Sequence, residues 1–143
     1  AFSEGWALYA ERLALEVGLA ENPYDELGIL QSELFRSVRL VVDTGMHYKR
    51  WTREEAMDYM KSITGMSDTE VRVEIERYIV WPGQALSYKV GMIKMLELRE
   101  KAKQELGDQF NIKDFHSAVL DHGNPPLFIV EKMVDKMIND AKS

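Results

Sequence analysis

The sequence predicts an all-α fold, and three observations carry that prediction. Apolar residues recur at helical spacing, as in Leu30, Leu34, Val38 and Val42. Two capping boxes, Thr52-Arg-Glu-Glu55 and Ser67-Asp-Thr-Glu70, announce helix starts. Proline and glycine punctuate the chain at Pro23, Gly65, Pro82-Gly83, Gly107, Gly123 and Pro125-Pro126, and no convincing strand stands between them. The chain reads as one helical domain, 1–143, of about six or seven helices.

The first helix is expected over residues 3–19, with a break at 21–23. The second runs from 24 to 44, and Gly45 either ends it or kinks it. The third starts at the Thr52 box and ends near Gly65. The fourth starts at the Ser67 box. Its sequence, VRVEIERYIV, alternates like a half-buried strand but also places Val71, Ile75, Tyr78 and Ile79 on one helix face; the cap decides for helix. Trp81-Pro82-Gly83 breaks it. The fifth covers 84–106 and stops at Gly107. Asn111 caps a short helix through 120. Pro125 and Pro126 lead into the last helix, to about 141.

The 143 residues and a hydrophobic fraction of 45% suffice for a buried core. A net charge of −6 argues against nonspecific nucleic-acid binding, and no basic stretch interleaves with aromatics. The absence of cysteine removes disulfides, thiolate zinc sites and cysteine nucleophiles. No apolar run reaches membrane-spanning length, and no stretch reads as a signal peptide. The chain begins with Ala1, directly before a buried-looking helix with no capping residue ahead of it. This predicts a fragment of a longer protein.

Function is approached through the first helix, FSEGWALYAERLALE. With about 100° per residue, Leu15, Leu8 and Glu11 fall within about 40° of Glu4. Trp6, Tyr9, Leu13 and Val17 cover much of the rest, and the polar wedge is narrow: Gly5, Arg12 and Glu16. A helix apolar almost all round is expected to be buried. Glu4 and Glu11 then point into protein, where a carboxylate is paired, hydrogen-bonded or bound to metal. Two structural salt bridges are one reading. A metal ligand backed by a second acid is the other.

Farther on, Arg39, Asp43 and His47 recur every four residues and share a face if the helix continues through Gly45. They form either an ion pair beside a surface histidine or a row in which His47 or Arg39 reaches a substrate's backbone or terminal carboxylate. Arg77 is another carboxylate anchor, with Glu74 or Glu70 as its alternative partner. His116 reads as a packed helix residue and His122 as part of a turn. The eight methionines read as core filling.

Four stretches in order, FSEGWALYAE (2–11), RSVRLVVDTGMH (36–47), ERYIVWPGQALSYKVG (76–91) and FHSAVLDHGNPPL (115–127), resemble the C-terminal part of a bacterial family, domain-of-unknown-function family 885. That family is similar in plan to helical gluzincin zinc peptidases such as thimet oligopeptidase and the thermostable carboxypeptidases. The resemblance implies zinc in the intact parent, a peptide substrate, and an exported or envelope location. It implies that Glu4 is the third zinc ligand and that Glu11 hydrogen-bonds a ligating histidine. It implies that Tyr88, with Tyr78 as runner-up, donates to the tetrahedral oxyanion.

The His-Glu motif that supplies the other ligands and the general base is missing here. His47, His116 and His122 stand far apart and none precedes a Glu. The fragment alone is therefore expected neither to hold zinc tightly nor to cleave peptides, and to self-associate through apolar surface exposed around Glu4. The competing readings are a noncatalytic helical scaffold or interaction module, and a degenerate peptidase.

Overall fold

A computed structural model describes residues 1–143, the whole chain. It is all-helical: α1 Phe2–Glu16, α2 Pro23–His47, α3 Arg53–Thr64, α4 Asp68–Val80, α5 Ser87–Leu106, α6 Ile112–Leu120 and α7 Leu127–Lys142. Short 3-10 turns, Gln84–Leu86 and Gly107–Gln109, flank α5. No helix is long and apolar enough to cross a membrane.

Local chemistry explains the boundaries. Both capping boxes form: the Thr52 and Ser67 hydroxyls accept from the amides of Glu55 and Glu70, and those carboxylates accept from the cap amides in return. The Ser67 box starts a helix, so VRVEIERYIV is α4. Asn22 and Asn111 cap α2 and α6 through their side-chain oxygens. α1 stops at Glu16, short of the expected end, because the chain turns at Gly18, whose φ is 74°. α2 runs straight through Gly45 to His47. Glycine stands there for a packing reason, since a Cβ would lie 2.4 Å from the Trp51 ring.

The helices build two cores. One is formed by α1, α5, α6 and α7 around Leu8, Tyr9, Met92, Met95, Leu98, Phe115, Val119, Val130 and Val134. The other is formed by α2, α3, α4 and the turn before α5, around Val38, Val42, Met60, Val71, Ile75 and Tyr78. The first core depends on a backbone-to-backbone crossing. A Cβ on Gly5 would lie 2.3 Å from the Gly91 Cα, and one on Gly91 would lie 2.2 Å from the Ala1 carbonyl oxygen. Only glycine at both positions lets α1 and α5 meet this closely.

This crossing corrects two expectations. Gly5 lies buried on α5 rather than in a polar wedge, because a residue without a side chain offers the closest approach. α1 is buried chiefly on its α5 side, with Trp6 and Tyr9 also packed against His116 of α6. Glu4 is half-buried, and Glu11 is exposed rather than pointing into protein. Next to the crossing, Val90 and Ile93 on α5 are exposed on either side of Gly91. α1 itself exposes no large apolar side chain, whereas Leu27, Leu30, Leu34 and Val41 form an exposed row along α2.

A candidate site at the seam between the cores

Three helices converge where the two cores meet. α1 contributes Glu4, next to the Gly5–Gly91 crossing. α5 contributes Tyr88, one turn before Gly91. α2 contributes Arg36 and Arg39, whose guanidinium carbons lie 4.3 and 4.6 Å from the Tyr88 ring centroid. Lys89 on α5 reaches Glu33 on α2 at 2.6 Å, and Arg12 on α1 approaches the same carboxylate at 3.7 Å. Charge pairing around Glu33 thus ties the three helices together immediately beside the site.

Glu4 has no ion-pair or hydrogen-bond partner within the chain, so its carboxylate remains available. Glu11 lies two turns along α1 and accepts a hydrogen bond from the Ser32 hydroxyl at 3.1 Å. The structure does not join Glu11 to Glu4.

The row Arg39, Asp43 and His47 shares one face, since α2 continues through Gly45. The three do not pair with one another. No Arg39–Asp43 ion pair forms, because each residue is drawn to the segment between α4 and α5. Arg39 Nη2 donates to Gln84 Oε1 at 2.9 Å. Asp43 accepts from the Gly83 amide at 3.0 Å. His47 Nε2 donates to the Tyr78 carbonyl at 2.9 Å. This four-residue repeat clamps the Trp81-Pro82-Gly83 turn, where Gly83 adopts φ 81°. The clamp fixes the start of α5 and so aims Tyr88.

Tyr78 is buried, and its hydroxyl donates to the Glu74 carboxylate. Burial, reinforced by that hydrogen bond, holds the phenol well above its ordinary pKa. Arg77 is engaged with Glu74 at 2.5 Å, one of the two partners its helix offered. The hydroxyl of Tyr88 donates no hydrogen bond within the protein, while its ring packs against the first core. His116 is a packing residue, with its Nε2 2.8 Å from the Tyr9 hydroxyl. His122 is exposed in the turn after α6.

Sequence reasoning passed over Arg36 and Gln84. Glu33, three residues before Arg36 on α2, pairs with Lys89 and leaves Arg36 without an ion pair. The available signal was the pair of arginines at i,i+3 beside Phe35.

Residues 1–134 match the family described as bacterial protein of unknown function, DUF885. The chain belongs to that family. A solved structure of a candidate lipoprotein from Colwellia psychrerythraea superposes with a TM-score of 0.93 and is 54% identical over 96% of this chain. The chain spans 24% of that protein. No curated protein matches it.

Whether this DUF885 segment could hold a zinc ion is a question of donors. A catalytic zinc ordinarily takes three protein ligands. No three His, Asp or Glu side chains come together in the chain. These residues alone do not make a zinc site; Glu4 offers one free carboxylate toward one.

Proposed function

We propose that this segment is the C-terminal helical part of a zinc-dependent peptidase acting on short peptides, with the remaining ligands contributed by another region of a longer chain. The observation that supports this reading best is Glu4: a half-buried carboxylate without a partner, next to the glycine crossing of α1 and α5. A partly shielded carboxylate without a protein partner is free to take a cation, and a metal ion is one partner that fits. The protein from Colwellia psychrerythraea, of which this chain covers 24%, carries this fold within a much longer chain, which supports the reading.

When bound, zinc would supply Lewis acidity and a water of lowered pKa. The residues of this chain would do the rest. Glu4 would donate a carboxylate oxygen. Tyr88, whose hydroxyl is uncommitted, would donate to the developing oxyanion. Tyr78 is the weaker candidate, because its proton is already given to Glu74. Glu11, being exposed, would be open to a ligating histidine from the neighbouring region. The description of the Colwellia protein as a candidate lipoprotein supports an envelope location for such a peptidase.

The test uses a full-length family chain containing this segment. Glu4→Gln should fold, lose zinc stoichiometry and lose about a hundredfold or more of its peptide hydrolysis. Full zinc content and full activity in Glu4→Gln would remove the ligand assignment. A wild-type protein indifferent to chelators would favour the scaffold reading instead.

A further inference from the structure

We propose that Arg36 and Arg39 form a receptor for the free C-terminal carboxylate of a peptide, so that the site reads short substrates from their C-terminal end. The choice of a peptide as ligand rests on the peptidase reading; the binding step itself requires no metal.

The argument begins with which cations lack partners. Among basic side chains that are not exposed, Arg53, Lys89, Lys94, Arg99 and Lys101 each pair with a carboxylate at 2.5 to 2.9 Å. Arg36 and Arg39 are the exceptions, and they are neighbours on one face of α2. Acids are not scarce, since the chain has 24 against 18 Lys and Arg. The nearby acids are committed elsewhere: Glu33 to Lys89, Asp43 to the Gly83 amide, and Glu74 to Tyr78 and Arg77.

The two guanidinium groups are held in place without being neutralised. Tyr88 faces both, Phe35 lies 5.1 Å from Arg36 and 5.7 Å from Arg39, and Tyr78 lies 5.2 Å from Arg39. Contact with an aromatic π system consumes no hydrogen-bond donor. Arg36 donates no hydrogen bond in the protein. Arg39 donates only from Nη2, and its buried Nε has no acceptor. Arg39 is 1% exposed, so it adds positive charge behind Arg36, and the half-buried Arg36 is the group a ligand meets.

A planar, singly charged carboxylate matches this arrangement, because a guanidinium presents its donors as a flat fork. Arg36, half-buried, provides the approach. Position favours a substrate terminus over an unrelated anion. Tyr88 lies one turn from Gly91, and Gly91 lies against Gly5, the neighbour of Glu4. A peptide anchored by its end at Arg36 would therefore extend along the seam toward Glu4.

The same chemistry is offered by an aspartate side chain, so the experiment separates the two sources. The 143-residue chain, without zinc, is titrated with N-acetyl-Ala-Ala, with its C-terminal amide, and with N-acetyl-Asp-Ala amide. Binding is followed by NMR of the Tyr88 ring and the Arg36 side chain. The free acid should shift both saturably, the neutral amide should not, and the Asp amide should bind about tenfold more weakly. Arg36→Gln, at a half-buried position and checked for folding by its melting curve, should weaken the free acid about tenfold or more. Equal response to acid and amide, no response to the acid, equal affinity for the Asp amide, or unchanged binding by Arg36→Gln would each overturn the proposal. The titration contains no zinc, so a failure of the zinc assignment and a failure of this receptor give different results.

Discussion

The two cores hold themselves together by different means. The core of α1, α5, α6 and α7 is filled with apolar side chains, and its closest contact is glycine backbone on glycine backbone. The core of α2, α3 and α4 is bordered by Arg39 and Asp43, the two buried charged residues of the molecule, which clamp the turn into α5. The first core is specified by shape and the second partly by polar contacts. Their seam collects the groups that neither core needs: Glu4, the Tyr88 hydroxyl and the donors of Arg36 and Arg39. Side chains left unpaired between two settled cores are the natural candidates for work on a ligand.

The comparison breaks most easily at the glycine crossing. Gly91→Ala puts a methyl group into the Ala1 carbonyl and the Gly5 Cα, neither of which can rotate away. We expect a loss of about 3 kcal/mol or more, read from a urea melt. A loss below about 1 kcal/mol would mean that α1 and α5 shift apart freely, and the first core would not be specified by shape.

A smaller effect tests the polar core. Asp43→Ala removes the acceptor of the Gly83 amide and one arm of the clamp. A hydrogen bond to a charged group contributes about 1.5–3 kcal/mol, so a loss of about 2 kcal/mol is expected. The Tyr88 ring signals should broaden or move, because the turn that aims α5 is loosened. A neutral variant with an unmoved Tyr88 would show that the clamp is ornamental.

The smallest effect lies inside the first core and depends on pH. Burial, with help from nearby Arg99, holds His116 below its ordinary pKa of 6.5. As pH falls, the unfolded chain takes up this proton before the folded one. Stability is therefore full above about pH 6.5 and declines as pH drops through the depressed folded value. Replacing His116 by Phe should flatten that part of the curve of melting temperature against pH. An unchanged slope would assign it to other groups.

Most of the fold was legible because its signals are local. Two capping boxes, the Asn111 cap and the helix-stopping glycines act within four residues of themselves, so their outcome is written in sequence. Gly5, Gly45 and Gly91 were not legible in the same way. They look like breaks or neutral positions, and only the partner helix or the Trp51 ring explains them. The burial of α1 was overestimated for the same reason: periodicity shows which residues share a face, not which faces find a neighbour. At the site, the row Arg39-Asp43-His47 was visible, but its partners lie 31 to 45 residues away and could not be read. Arg36 went unnoticed because its lack of an ion pair depends on Lys89, 56 residues from Glu33, drawing that carboxylate away.

The most direct measurement on the central claim is an anomalous-scattering map at the zinc edge from crystals of a full-length DUF885 chain containing this segment. The account predicts a peak about 2.0–2.2 Å from a Glu4 carboxylate oxygen, the ordinary zinc–carboxylate distance. A map with zinc bound away from Glu4, or with no zinc in an active protein, would contradict it.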